Sequence, residues 1–208
     1  MSSSLDKILA NPRVWRGRDQ AGCRAGLSSG YPELDRHLPG GGWPPDSLTE
    51  ILTAHYGIGE LRLLMPALAR LSHATPEQEE PGWIAWVAPP FQPYPPALRQ
   101  YGLDLSRMLI VRPGEASETL WSAEQALSSG TCAAVLLWPE TLDDQAGRRL
   151  QLAAEKGQSW AIAFRPPGVR HQPSAAALRL ELQATAQGTQ VHILKSRGGR
   201  PAVVRTRL

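Results

Sequence analysis

Cysteine, lysine and phenylalanine are scarce in this 208-residue chain, which holds two, three and two of them. Cys23 and Cys132 lie far apart, and neither has a Cys or His partner at metal-ligand spacing. That fits a reducing compartment and argues against structural zinc. Long apolar runs are missing too. The run from Ala133 to Trp138 has six residues, where a bilayer-spanning helix needs roughly eighteen. The opening MSSSLDKILANPRVW lacks an apolar core long enough for a signal peptide, so the chain is expected in the cytoplasm, without membrane contact. The histidines His37, His55, His73, His171 and His192 show no paired metal-ligand spacing, and none neighbours a Ser or Cys in a nucleophile motif. No catalytic residue and no metal site is assigned.

Hydrophobic residues make up 42% and charged residues 20%, which is ordinary globular usage, and the length suits one domain with a full core. Nineteen glycines and nineteen prolines predict many turns around a smaller regular core. The net charge of +3 is unevenly spread. Residues 1–104 carry nine basic and eleven acidic side chains, a net of −2. Residues 165–208 carry Arg165, Arg170, Arg179, Lys195, Arg197, Arg200, Arg205 and Arg207 against Glu181 alone, a net of +7. The C-terminal fifth is therefore a basic patch suited to a phosphate-bearing or acidic partner.

Residues 1–30 read as an arm and a Gly/Ser-rich linker, and residues 31–208 as the domain. Tyr31 to His37 suggests a short helix, and Ser47 to Thr53 the first strand. Strand patterns then recur at Gly82 to Ala88, Arg107 to Arg112, Ala133 to Trp138 and Gln158 to Phe164. Between them lie helical periods at Leu61 to Ser72, Pro96 to Tyr101, Ser117 to Ser129 and Asp143 to Lys156. Pro66 should kink its helix or delay its start. Gly130 and Gly157 are placed as helix stops, and Asp143 and Asp144 as caps. The run Ala133 to Trp138 is apolar at every position, as burial on both faces of a parallel sheet demands. The pattern predicts an α/β fold with a mostly parallel sheet and helices on both faces. The runs Leu178 to Gln183, Gln190 to Lys195 and Ala202 to Arg207 extend that sheet by hairpins. Trp43, Trp83, Trp86, Trp138 and Trp160 are expected in the core or at its rim.

A glycine-containing loop between a strand and a helix is the arrangement that cradles phosphate. A phosphate loop wants Gly, four residues, then Gly-Lys-Ser/Thr. Here the first glycine falls on Ala54, the second on Gly59, the lysine on Glu60 and the magnesium-holding hydroxyl on Leu61. A carboxylate in the lysine's place repels phosphate, and leucine completes no magnesium shell. Nucleotide hydrolysis is expected to be absent, and no cofactor is assigned. Glu60 itself reads as a first-turn carboxylate that stabilises the following helix through its dipole.

These blocks together resemble the ImuA family, translesion-synthesis accessory proteins related to RecA. The resemblance is carried by WPPDSLTEILTAHYGIGELRLLMPALARL, WSAEQALSSGTCAAVLLWP, AIAFRPPGVRHQPSAAALRLEL and VHILKSRGGRP, with RVWRGR and GGGWP before them. It covers nearly the whole chain. It implies a RecA-like core without its nucleotide-binding residues, followed by an antiparallel β extension. In RecA-like proteins a DNA-contacting loop follows the strand matching Gln158 to Phe164; here that loop matches Arg165 to Ala175. Lys195-Ser196-Arg197 matches a RecA-like Lys-x-basic pair. The implied partners are an ImuB-type polymerase-like protein, RecA and an error-prone replicative-type DNA polymerase complex, acting in the SOS response. SulA, the SOS-induced division inhibitor, is similar through LLMPALARL, AVLLWPETL and AFRP. The N-terminal arm and the basic run Gln190 to Leu208 are closer to ImuA.

The candidate contacts follow from charge and exposure. Trp15 and Arg16 sit in a basic arm, where Trp15 is either an interface anchor or folded back onto the domain. Arg165 and Arg170 sit in a Pro-rich loop, facing DNA phosphates, an acidic protein or solvent alone. With no aromatic there besides His171, DNA contact is expected to be weak. Lys195, Arg197, Arg200, Arg205 and Arg207 form the strongest patch, which edge protection of a strand would equally explain. The expected function is a non-catalytic SOS adaptor. The alternatives are a SulA-like inhibitor of the tubulin-like division GTPase and an ATPase with an unorthodox site.

Overall fold

The computed structural model describes residues 25–74, 80–186 and 188–206. A short helix α1, Pro32–Asp35, precedes strand β1, Leu48–Thr53. Then follow α2 (Met65–Leu71), β2 (Trp83–Val87), α3 (Pro95–Gln100), β3 (Met108–Val111) and α4 (Ala116–Ser128). After them come β4 (Cys132–Leu137), α5 (Asp144–Gly157) and β5 (Trp160–Arg165), and finally β6 (Leu178–Thr185), β7 (Gly188–Ser196) and β8 (Ala202–Thr206). The strands form one sheet in the order β3-β2-β4-β5-β1-β6-β7-β8. The first six in that order pair in parallel, and β7 and β8 add antiparallel. The mixed α/β architecture, the parallel core and the hairpin extension agree with the sequence pattern.

Strand alternation sorts the core into two layers. On β5, Trp160, Ile162 and Phe164 face the layer built with Leu34, Leu64, Leu68 and Leu98 from α1–α3 and their flanks. Ala161 and Ala163 face the other way, against Leu127 of α4 and Leu150, Ala153 and Ala154 of α5. Small residues on that side let the two helices sit close to the strands. Trp138 stacks on Phe164 at 4.6 Å and Trp43 on Trp160 at 5.3 Å. The Trp160 indole donates to Thr49 Oγ1 at 3.0 Å. The tryptophans expected in the core are there, with Trp83 partly exposed at its rim.

Helix ends follow the sequence at most places. α2 starts only at Met65, with Pro66 in its first turn, where a missing N–H costs nothing. Asp143 caps α5 by accepting from the Ala146 amide at 2.7 Å. The end of α5 differs from expectation. Gly157 is its last residue, and Gln158 takes the left-handed conformation at φ 51°. Glycine is needed at 157 for space: a Cβ there would lie 1.8 Å from the Leu127 carbonyl oxygen at the end of α4. Residues 25–30, read as linker, are tied to the domain by paired bonds between Leu27 and Trp43, at 2.8 and 2.7 Å.

Candidate functional site

The loop after β1 has the shape of an anion cradle with a side chain inside it. The Gly57 amide donates to both carboxylate oxygens of Glu60, at 2.8 and 3.0 Å, and the Ile58 amide to Oε2 at 3.0 Å. Gly57 reaches this geometry at φ +87°, open to glycine at no steric cost. Two further bonds fix the loop, Thr53 Oγ1 to the His55 carbonyl at 2.6 Å and Thr189 Oγ1 of β7 to the Ile58 carbonyl at 3.1 Å. Glu60 is buried at 4% exposure. The dipole reading of Glu60 is corrected by the structure: residues 60–64 form turns, α2 begins five positions after Glu60, and the carboxylate caps the loop instead. Ala54 is exposed, and Leu61 packs against the core. Tyr56 meets Phe91 edge-on at 6.2 Å. Burial raises the Tyr56 phenol pKa, and the Glu60 carboxylate adds to the shift.

The basic candidates divide. Trp15, Arg16 and Arg207 lie outside the described residues. Arg165 is corrected from loop to strand: it is the last residue of β5, on the same face as Ala161 and Ala163, with its side chain 7% exposed. Its guanidinium donates to Glu50 Oε1 at 3.2 Å and to the Leu142 carbonyl at 2.7 Å. It holds the fold together and presents no surface for DNA. Arg170 pairs with the buried Glu181 at 2.5 Å and stays half-exposed. Lys195 donates to the Ser174 carbonyl at 2.6 Å, and burial, followed by the nearby Arg197, lowers its pKa. Arg197 faces Glu155 at 3.6 Å, and Arg200 and Arg205 are exposed. Lys195 and Arg205 are not neighbours. Arg205 pairs with Gln190, five residues from Lys195 along β7, which is roughly 17 Å of strand.

Sequence reasoning passed over the residue at the centre of this region. Glu50 sits mid-strand in β1, 1% exposed, and accepts from Arg165, from Arg179 Nε at 2.8 Å and from Ser174 Oγ at 2.8 Å. Arg179 also donates to the carbonyls of Val169, Arg170 and Gln172, at 2.9, 3.2 and 2.7 Å. The loop from 166 to 173 is thereby pinned over the side of β6 that carries Arg179 and Glu181. A glutamate inside the apolar run LTEILT was the available signal, since a buried charge needs a partner. Phe91, Tyr94 and Trp121, each more than 60% exposed, were also missed. Among the described residues, no helix is long and apolar enough to cross a membrane.

Comparison with known proteins gives related matches. A family model described as "Cell division inhibitor SulA" matches residues 49–161. Protein ImuA of Caulobacter vibrioides is 34% identical over 148 residues, covering 69% of this chain and 59% of that protein. Cell division inhibitor SulA of Photorhabdus laumondii is 31% identical over 121 residues, covering 58% of this chain and 65% of that protein. The chain thus spans about three fifths of the length of the curated relatives it matches. Among solved structures, SulA from Pseudomonas aeruginosa shares 28% identity at a TM-score of 0.46, over 57% of this chain and 97% of that one.

Proposed function

This chain belongs to the ImuA/SulA-like family, and from that membership we propose that it is a non-catalytic accessory protein of SOS-induced, error-prone translesion synthesis. Its core is RecA-like in this reading, and its task is to hold an ImuB-type polymerase-like protein together with RecA, bringing an error-prone replicative-type polymerase to damage. One route is capping of a RecA filament end by a RecA-like surface that has no nucleotide switch. The loop after β1 supports the absence of catalysis: it offers phosphate a carboxylate in place of lysine and leucine in place of the magnesium-holding hydroxyl.

The C-terminal sheet is the observation that supports the adaptor reading. The SulA model ends at residue 161, while this chain continues through β6, β7 and β8 with Lys195, Arg197, Arg200 and Arg205 on or beside them. The test is affinity capture of the tagged chain from DNA-damaged cells of its own source. Polymerase-like subunits or RecA among the bound proteins are the expected result. Recovery of the tubulin-like division GTPase without them would overturn the adaptor.

The matched family description favours a second reading, a SulA-like division inhibitor built on residues 49–161. It requires that overproduction filament cells lacking the polymerase partner. An ATPase requires that ATP with magnesium raise Tm. A ligand at 100 times its Kd adds about 2.7 kcal/mol, so an unchanged Tm removes that option.

A further inference from the structure

The Glu60 carboxylate accepts from two successive backbone amides, the donor arrangement that a phosphate-binding loop offers an anion. Successive backbone N–H groups at a chain reversal form an anion nest. In this chain the converging donors are Gly57 and Ile58, and Gly57 and Gly59 both have positive φ, 87° and 108°. Both Glu60 oxygens are engaged, and the side chain is closed off from solvent. Among the described residues no ion pair meets this carboxylate, and the amides of Gly57 and Ile58 are its hydrogen-bond donors. Glu60 also stands where the phosphate loop's lysine would stand, at the same sequence position with the opposite charge.

We propose that Glu60 is a built-in ligand of this nest. The carboxylate keeps the loop in an anion-bound shape without any diffusible ligand, and it shuts out phosphate. A site for a phosphate-class anion is then latent beneath it. Thr189 and Thr53 brace the loop independently of Glu60, so the nest should keep its form when the carboxylate is removed, and its two amides would be left without an acceptor. This inference concerns the loop alone and stands whether the chain is an adaptor or a division inhibitor.

Pyrophosphate is the probe, read by thermal unfolding and by amide chemical shifts in the full chain. The wild type should show no saturable effect. Glu60→Ala should gain a saturable rise in Tm, with the Gly57 and Ile58 amides moving most. Saturable binding by the wild type at those amides would overturn the proposal, as would a folded Glu60→Ala that ignores pyrophosphate or binds it elsewhere. If Glu60→Ala does not fold, the wild type supplies the test. Scalar couplings across the hydrogen bonds from the Gly57 and Ile58 nitrogens to the Glu60 carboxyl carbon should be measurable, and their absence would refute the built-in ligand.

Discussion

Arg179 and Glu50 meet through Nε and Oε2 at 2.8 Å, with side chains 5% and 2% exposed. They lie on adjacent parallel strands but 129 positions apart in the chain. Removing one partner from such a pair leaves the other charge buried without compensation, which costs about 3–5 kcal/mol. Glu50→Ala strands two guanidinium groups, so its loss in denaturant unfolding should reach that range. Arg148→Ala is the control. It breaks the exposed i,i+4 pair with Asp144, 2.7 Å long, and should cost no more than about 0.5 kcal/mol. Equal effects of the two substitutions would contradict the assignment.

Arg179 also ties β6 to the loop over it. Arg179→Ala frees the carbonyls of Val169, Arg170 and Gln172. Amide exchange across residues 166–173 should accelerate, and trypsin should cut after Arg170 well before it cuts the wild type. Unchanged protection of the loop would show that its prolines, not Arg179, hold it.

The α4–α5 corner offers two adjacent substitutions with opposite signs. Gly157→Ala drives a methyl group into the Leu127 carbonyl, an overpacking that should cost about 1–3 kcal/mol. Gln158→Gly relieves a left-handed residue and should raise stability by roughly 0.5 kcal/mol, part of the 1–2 kcal/mol handedness penalty being returned as backbone entropy. Both are read from urea midpoints at constant m value.

Asp104 lies below its ordinary pKa of 3.8 because the Ser106 hydroxyl and amide both donate to its carboxylate. The folded state therefore binds fewer protons than the unfolded state once pH drops through this range. The contribution is fully present above 3.8 and is lost as pH falls below it. Asp104→Ala should destabilise the chain at pH 7, and the gap to wild type should close on acidification. A gap that widened in acid would reverse the assigned direction.

Much of the architecture was legible because it is local. β4, Cys132–Leu137, is apolar throughout, and its place inside a parallel sheet follows from that alone. The departure of the loop after β1 from the phosphate-loop pattern could be read from Ala54, Glu60 and Leu61. The partners of Glu50 could not, because they depend on β1 lying between β5 and β6, an order that no periodicity encodes. Arg165 was misassigned by a single residue at a strand end. With period-two alternation, that residue joins Ala161 and Ala163 on a covered face. Glu60 was misread because its helix starts later than the apolar spacing suggests, and a side chain folding back on its own loop leaves no periodic trace.

The loop after β1 also bears on timing. A nucleotide-binding loop keeps time, since it fills, reacts and empties. A loop whose acceptor is a side chain of the same chain holds its shape with nothing to fill or empty.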